Sequence, residues 1–400
     1  MNITGVETIR LDEFPNLVWV RIATDAGIVG LGETFFGASA VEAYIHDWCT
    51  PKLIGRDALA IQARANEMTD YLGWRGAGVE TRAYSAVDIA LWDIFGKAHG
   101  RPIADMLGGR SRNSIRTYNT CAGYKYVRDA SAQTVANWHA GETDGPYEDL
   151  EAFLTDAGAL AQSLLEEGIT AMKIWPFDIA AERTGGFDIS PDELRAAMKP
   201  FVQIREAVGE AMDIMVEFHS LWSLPMAKKL ARELAPFKTY WHEDPFRLDN
   251  ISDLKDYAAA SQAFVCASET LAYTHAFREY LESGAAGVVM LDLSWCGGIT
   301  QARKIAAMAE AYKVPIAPHD CTGPVVYAAS CQLSLHAANA LIQESVRALY
   351  TGWYTEVATG LPTVERGFIT IPEAPGHGVD FRDDVFERPD MKRRLSGRLD

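Results

Sequence analysis

The segment MVEFHS, Met215–Ser220, places a carboxylate and an imidazole two residues apart within an apolar run. Successive side chains of a β-strand point to opposite faces, so a strand here would put Glu217 and His219 on the same face. A strand end exposed to water would account for both residues equally well. Whether this strand end is functional or simply exposed to water therefore depends on whether the rest of the chain supplies partners for these two side chains.

Eight short apolar runs alternate with amphipathic helical sequence over residues 114–350. The runs are SIRTYN (114–119), AMKIW (171–175), MDIMVEFH (212–219), KTYWHEDP (238–245), FVCASE (264–269), AGVVMLDL (286–293), VPIAPHD (314–320) and ALIQES (340–345). Strands that alternate with helices predict a parallel sheet, most simply a closed (β/α)8-type barrel of the modified TIM kind. The length of this region is close to the usual size of such a barrel.

The two ends of the chain predict a second, α+β unit. Residues 1–113 begin with alternating strand-like runs and continue with the helical sequence YSAVDIALWDIFGKAHG, 84–100. Residues 351–400 return to short strand-like pieces and are too few to fold alone. We therefore predict an α/β protein in which a catalytic barrel, 114–350, carries an α+β capping domain formed by 1–113 and completed by 351–400.

Composition and charge exclude several classes of partner. The chain is 48% hydrophobic and 23% charged, as in an ordinary globular protein, and its net charge of −17 leaves no basic surplus for a nucleic acid. The basic cluster Lys392–Arg394 is expected to lie in a solvated tail. No apolar run reaches 18 residues, no apolar leader follows Met1, and the six cysteines form no C-x-x-C pair. We expect a cytoplasmic protein with no membrane partner.

Charged residues lie at the ends of six successive predicted strands, within apolar surroundings. They are Glu217, Glu243, Glu269, Asp292, His319 and Glu344. Their intervals of 26, 26, 23, 27 and 25 residues each approximate one strand–helix repeat, so the side chains should converge on the C-terminal rim of the barrel. Buried carboxylates at such short range require a neutralising cation.

Three glutamates on adjacent strands, Glu217, Glu243 and Glu269, would form an oxygen-only site. Such a site favours one Mg²⁺, or Mn²⁺, over zinc, although a rim of structural salt bridges is the alternative. Asp292 and His319 end neighbouring strands, where the carboxylate can fix the imidazole tautomer for acid–base work. His219 is a second candidate acid or base. Lys173 could stabilise developing negative charge, or could simply extend towards solvent.

This ordered set of motifs resembles the enolase superfamily, and within it the mandelate racemase subgroup. The motifs are EFH (217–219), EDP (243–245), SET (268–270), DLSWCGGIT (292–300), APHD (317–320) and QE (343–344), with the helix that begins at Ser85. The resemblance implies that the three glutamates bind Mg²⁺ and that Asp292–His319 is the general acid/base dyad. Glu344 would hydrogen-bond the carboxylate of a small-molecule substrate, whose α-proton leaves to give an enediolate. Relatives are commonly homo-oligomers, dimers or octamers.

One motif of this chain differs from the usual pattern of the subgroup, and the difference concerns the type of reaction. Its racemases and cycloisomerases usually carry K-x-K at the end of strand two, whereas this chain has Lys173, Ile174 and Trp175, and an indole cannot accept a proton. The E-x-H pattern at 217–219 resembles acid-sugar dehydratases instead. We therefore predict a dehydratase of an aldonate or aldarate, in which His319 takes the α-proton and His219 expels the β-hydroxyl as water to leave a 2-keto-3-deoxy acid.

The same residues are compatible with other functions. A racemase, epimerase or cycloisomerase could use the same scaffold, with His219 or Lys173 as the second base. A non-catalytic binding protein would not need the intact dyad, and a metal-dependent hydrolase would favour clustered histidine ligands.

Substrate selectivity is expected to come from the loops around the rim. The resemblance points to capping-domain loops at 35–39 and 71–78, with Trp74 and Arg75 as candidate substrate contacts. Trp175 and Trp295 could form walls of the pocket. The long segments 121–149 and 176–190 follow the first two barrel strands, where loops commonly carry function.

Overall fold

A computed structural model describes residues 1–69, 76–126, 128, 134–141 and 145–399 of the chain. The eight predicted barrel strands are all present. They are β4 (Ile115–Thr120), β5 (Ala171–Ile174), β6 (Asp213–Glu217), β7 (Trp241–Glu243), β8 (Phe264–Ala267), β9 (Ala286–Leu291), β10 (Ile316–Pro318) and β11 (Gln343–Ser345). β4 to β10 lie side by side in parallel, and β11 pairs with β4 in parallel. A bridge between Ile316 and Ala340 completes the closed barrel.

Helices surround the barrel and connect its strands. They are α6 (Asp149–Thr155), α7 (Ala157–Glu166), α8 (Asp178–Thr184), α9 (Pro191–Val208), α10 (Leu224–Leu234), α11 (Leu254–Ala258), α12 (Tyr273–Glu282), α13 (Gly298–Ala311), α14 (Pro324–His336), α15 (Arg347–Tyr350) and α16 (Tyr354–Val357). The start of α9 shows how sequence sets such a boundary. Ser190 accepts the Glu193 N–H, the Glu193 carboxylate accepts the Ser190 N–H, and Pro191 occupies the first turn.

Both ends of the chain form the capping domain. Its sheet has the order β16–β1–β2–β3, from β1 (Ile3–Leu11), β2 (Leu17–Thr24), β3 (Val29–Phe35) and β16 (Met391–Gly397). Its helices are α1 (Ala38–Tyr44), α2 (Thr50–Leu53), α3 (Ile61–Met68), α4 (Val79–His99) and α5 (Ile103–Met106). The predicted fold is therefore confirmed. The basic side chains of Lys392–Arg394 are exposed, as expected, but they belong to β16, which pairs antiparallel with β1, and not to a tail.

The middle of the C-terminal segment has a different neighbour. The remaining strands are β12 (Ala358–Thr359), β13 (Thr363–Glu365), β14 (Phe368–Thr370) and β15 (Asp380–Phe381). β13 and β14 form a hairpin, and β14 pairs with barrel strand β4 rather than with the N-terminal sheet. The domain boundaries at 113 and 350 stay a prediction. Among the described residues, no helix combines the length and apolar character needed to cross a membrane.

The packing inside the barrel determines where the functional side chains point. One buried layer fills its interior: Tyr118, Ala171, Met215, Trp241, Cys266, Met290, Ala317 and Ile342, with Val288 beside them. Strand side chains alternate, so the residue two positions after an interior residue also faces the barrel axis, nearer the C-terminal rim. For all eight strands that residue is polar: Thr120, Lys173, Glu217, Glu243, Ser268, Asp292, His319 and Glu344. The apolar layer thus supports a polar one above it.

Candidate active site

Lys173 lies at the centre of the polar layer. Its ammonium Nζ is 2.8 Å from Glu243 Oε1, 2.9 Å from Glu344 Oε1 and 3.4 Å from Glu217 Oε2. The Lys173 side chain is buried, as are those of its three partners. The suggestion that it extends towards solvent was therefore wrong, and its charge is directed at the carboxylates of the rim.

The three predicted ligand residues come together. Glu217, Glu243 and Glu269 each offer a carboxylate oxygen, and these three oxygens all lie within 4.8 Å of one another. Burial and the neighbouring charge of Glu217 raise the pKa of Glu243 well above its usual value, so the ammonium of Lys173 does not fully neutralise the cluster. Asp244 adds a further buried carboxylate, whose Oδ1 has no hydrogen-bond partner among the described residues.

This donor set fits a hard divalent cation. It consists of carboxylate oxygens close enough to share one ion, which is the chemistry that Mg²⁺ and Mn²⁺ prefer. The rim also holds more negative than positive groups, because Asp244 and Glu344 lie beside the three glutamates. The residues present therefore suit a magnesium-type site.

Asp292 and His319 form the predicted dyad. His319 Nδ1 lies 2.7 Å from Asp292 Oδ2, and His319 Nε2 lies 2.9 Å from Glu269 Oε2. Asp292 accepts two more hydrogen bonds, from the N–H and the hydroxyl of Ser294, which fix its orientation. Burial opposes a charge on His319, but the carboxylates of Glu269, Glu344 and Asp292 raise its pKa well above the usual value. Neutralising Glu269 would therefore release Nε2 for proton transfer.

His219 reaches the cavity by a different route from the one its sequence suggests. β6 ends at Glu217, and His219 has a left-handed backbone with φ of 48°, so strand alternation was the wrong reason for placing the two side chains together. The His219 N–H instead donates to Glu217 Oε1 at 2.6 Å. Its ring Nδ1 lies 2.6 Å from Asp178 Oδ2, which makes a second carboxylate–imidazole pair.

Asp178 gives His219 the properties of an acid. It is the first residue of α8, inside the segment 176–190 that the sequence suggested to be a loop. Burial alone lowers the pKa of His219, but the charges of Asp178 and Glu217 outweigh that effect and raise the pKa to about 9. The imidazolium form is therefore stable at neutral pH.

Glu344 is held by neighbours on both of its oxygens. Oε1 accepts the Thr120 hydroxyl and faces Lys173, and Oε2 accepts the Asp320 N–H at 2.8 Å. These contacts fix the carboxyl group between Lys173 and the dyad. Its position agrees with the predicted contact to a substrate carboxylate, which stays a prediction.

Aromatic side chains line the cavity above the polar layer. The space measures about 460 Å³ and is bordered by Phe35, Phe36, Tyr126, Trp175, Trp295 and the polar residues His219, His319, Glu269, Lys173 and Glu344, with Thr120, Cys321 and Thr322. The Trp175 ring is 5.9 Å from that of His219, and the Trp295 ring is 5.4 Å from that of His319. The indole N–H of Trp175 is buried without a partner among the described residues, so it can donate to a ligand.

The capping domain contributes to this lining, as expected for the loop at 35–39. The second candidate loop, 71–78, cannot be compared in full, because Trp74 and Arg75 lie outside the described residues. The segment 121–149 contributes Tyr126 to the cavity.

Two carboxylates of the capping domain bind the N-termini of α13 and α14, the helices that follow Asp292 and His319 in the chain. Glu33 in β3 accepts the backbone N–H groups of Val325 and Val326 at 3.2 and 3.0 Å, in the first turn of α14. Asp88 in α4 accepts the Thr300 N–H at 2.9 Å, in the first turn of α13. Carboxylates are favourable at helix N-termini because of the unpaired N–H groups there.

Glycine residues at the starts of α14 and α13 allow the carboxylates of Glu33 and Asp88 to come this close. A Cβ atom at Gly323 would lie 2.2 Å from Glu33 Oε1, and one at Gly298 would lie 2.4 Å from Asp88 Oδ2. Gly298 also has φ of +76°, where a side chain is disfavoured. The GG of WCGGIT is thus a docking point for the capping domain.

Sequence reasoning missed several residues that complete the site. They are Glu33, Asp88, Thr120, Tyr126, Asp178, Asp244 and Asp320. Thr120 follows from the strand alternation of SIRTYN and could have been found by extending that run. Asp244 and Asp320 stood within quoted motifs, but nothing local marks Asp178, Glu33 or Asp88, whose partners are far away in the chain.

Comparison with known families covers both parts of the chain. The model described as mandelate racemase / muconate lactonizing enzyme, N-terminal domain, matches residues 8–108. The model described as enolase C-terminal domain-like matches residues 156–385. Together these matches span most of the chain, including the barrel strands from β5 to β11 and the strand-end residues from Lys173 to Glu344.

Individual relatives resemble the chain over nearly its whole length. A D-galactonate dehydratase of Variovorax paradoxus is 32% identical over 391 residues, covering 96% of this chain and 93% of the relative. One from Pectobacterium atrosepticum is 32% identical over 400 residues, covering 97% and 94%. The crystal structure of an enolase of the mandelate racemase subgroup from Agrobacterium tumefaciens is 52% identical, covers 99% of both chains and has a TM-score of 0.88.

Proposed function

The chain belongs to the mandelate racemase and muconate lactonizing enzyme family of the enolase superfamily, and we propose that it is a magnesium-dependent dehydratase of a sugar acid, an aldonate or an aldarate. It is a carbon–oxygen lyase, a hydro-lyase, like its D-galactonate dehydratase relatives. One observation carries the proposal: two imidazoles, each held by its own carboxylate, line a single cavity beside the glutamate cluster. Dehydration needs one base and one acid, which is what this arrangement provides.

Glu217, Glu243 and Glu269 would hold the ion. When bound, a divalent cation supplies positive charge beside the substrate carboxylate and so makes the neighbouring C–H bond more acidic. Lys173 provides a fixed ammonium near the same place, and Glu344 is positioned to hydrogen-bond the substrate carboxylate. These two residues would orient the substrate with its α-carbon towards the dyad.

His319 takes the α-proton. Asp292 accepts the Nδ1–H, so the lone pair of the neutral ring lies on Nε2, which lies by Glu269 at the cavity wall. The C–H bond breaks, its electrons move towards the substrate carboxylate, and the proton bonds to Nε2. Asp292 then stabilises the imidazolium that results.

His219 gives the proton that converts the β-hydroxyl into water. Its Nδ1 is held by Asp178, which stabilises the charged ring and leaves Nε2–H as the donor. The electrons left on the α-carbon form a C=C bond as the β C–O bond breaks. The enol product then tautomerises: the β-carbon takes up a proton and the enol O–H loses one, which gives a 2-keto-3-deoxy acid. Proton exchange with solvent returns His319 to its neutral form and His219 to its protonated form, so atoms and charge balance over the reaction.

An isomerase remains the alternative, and Lys173 weakens it. The Lys173 ammonium lies within 3.4 Å of three carboxylates, which hold it protonated, so it is a poor second base. Trp175 cannot serve at the other usual position. A racemase or epimerase would therefore have to use His219, and inverted configuration with solvent deuterium in recovered substrate would indicate it.

The proposal is tested by screening the Mg²⁺-loaded protein against a library of aldonates and aldarates for 2-keto-3-deoxy products. We expect His319→Asn to lower kcat/KM for the active substrate by about 10²- to 10⁴-fold while magnesium binding is kept. His99→Asn, at an exposed position on α4, is the matched control and should leave the rate unchanged. Absence of any such product, while another reaction proceeds, would rule the proposal out.

A further inference from the structure

A second cavity adjoins the active site on the side of the capping domain. It is open to solvent, measures about 320 Å³ and shares Phe35, Tyr126 and Cys321 with the catalytic cavity. Most of the remaining lining is apolar: Phe14, Leu17, Leu349 and Trp353, with Asn16. A substrate that reaches past Phe35 and Tyr126 would therefore place its far end in this second cavity.

Arg128 is the cation of this cavity. Its side chain is only 8% exposed, and its guanidinium lies 4.8 Å from the ring centres of both Phe14 and Tyr124. Nη2 donates to Glu13 Oε1. Nη1 is buried and has no hydrogen-bond partner among the described residues.

The unpaired Nη1 indicates a missing acceptor. A buried donor without a partner costs free energy, and more so when it belongs to a charged group. Glu13 Oε1 accepts from Nη2 of Arg128 and its other oxygen accepts from Arg388 at 2.5 Å, so Glu13 does not serve as the acceptor of Nη1. The two aromatic rings hold the guanidinium in place, so the unpaired donor has a fixed position.

On the basis of the dehydratase function above, we propose that Arg128 binds the terminal carboxylate of an aldarate whose other carboxylate reacts at the glutamate cluster. A carboxylate matches one cation with one free nitrogen, whereas a phosphate would need several donors. A neutral terminal CH₂OH would offer Nη1 only an uncharged and therefore weaker acceptor. The active site would thus select dicarboxylic over monocarboxylic sugar acids.

The test compares each aldarate with the aldonate of the same configuration, using the Mg²⁺-loaded full chain. We expect the wild type to prefer the aldarate by about 100-fold in kcat/KM, and Arg128→Gln to lose most of that preference through KM. The aldonate rate should change less than about threefold. Arg388→Gln is the matched control, because it removes the other partner of Glu13 while leaving the cavity lining intact.

Several results would overturn this assignment. They are equal wild-type rates on aldarate and aldonate, a better rate on a phosphorylated aldonate, and equal effects of both arginine substitutions. The wild-type preference does not depend on any variant folding. If no acid sugar is dehydrated, the dehydratase proposal fails by itself, and calorimetric titration with an aldarate still tests the role of Arg128. Weaker aldarate binding by Arg128→Gln than by the wild type supports that role. Equal binding by the two proteins, or no binding by the wild type, contradicts it.

Discussion

At the scale of single residues, proton transfer depends on what orients each imidazole. His319 has Asp292, which the repeat of the strands predicted because both residues end neighbouring strands. His219 has Asp178, which lies 41 residues away at the start of α8. The sequence could predict the first pair from spacing alone. It could not predict the second, because only the folded chain brings α8 over the end of β6.

The separate roles of the two histidines predict separate defects. His219→Asn should lower the rate of dehydration by about 10²- to 10⁴-fold and still allow exchange of the substrate α-proton with D₂O, because His319 is unchanged. His319→Asn should lower both exchange and dehydration by about 10²- to 10⁴-fold. Proton NMR of the recovered substrate and product measures exchange and dehydration together. Loss of exchange in His219→Asn, or wild-type dehydration by it, would contradict the assignment.

At the scale of elements, the capping domain positions the loops that carry the dyad. Asp292 precedes α13 and His319 precedes α14, and the first turns of these helices bind Asp88 and Glu33. Glu33 also accepts the Trp19 indole N–H at 2.5 Å. The position of the dyad therefore depends on contacts from a domain that supplies no proton-transfer group itself.

Removing the Glu33 carboxylate should weaken the contact between β3 of the capping domain and the first turn of α14. Glu33→Ala leaves the Trp19 indole and two backbone N–H groups buried without an acceptor, so we expect the free energy of unfolding to fall by about 3 kcal/mol. We also expect kcat to fall more than KM rises, because the loop before α14 carries His319. Glu33→Gln keeps one acceptor oxygen and should lie between the alanine variant and the wild type. Denaturant unfolding and steady-state kinetics measure the two effects. An unchanged free energy of unfolding in Glu33→Ala would contradict the role of Glu33 in holding the first turn of α14.

Sequence pattern predicted those elements whose burial is regular. Most barrel strands carry apolar side chains below the rim and alternate regularly with helical sequence, so all eight could be recognised. β16, with the sequence MKRRLSG, could not, because it is an edge strand whose basic side chains pair across the sheet, as Arg393 does with Glu7 at 2.7 Å. α8 was missed because its seven residues lie within a segment rich in Gly and Asp.

At the scale of the whole molecule, the fold gathers more negative charge at the rim than its own cations neutralise. Among the described residues, the carboxylates in this cluster are Asp178, Glu217, Glu243, Asp244, Glu269, Asp292, Asp320 and Glu344, against Arg82, Lys173, His219 and His319. The unfolded chain keeps these groups apart. An ion that binds only the folded chain stabilises it, by about 2.7 kcal/mol at one hundred times its Kd.

The three-glutamate site is tested most directly by calorimetric titration of Mg²⁺ into the chelator-treated protein. We predict one ion per chain for the wild type, unchanged binding in Glu166→Gln, which alters an exposed residue of α7, and no binding in Glu243→Gln. If the wild type binds no ion, or if Glu243→Gln binds as the wild type does, the glutamates do not form a metal site and the account is contradicted.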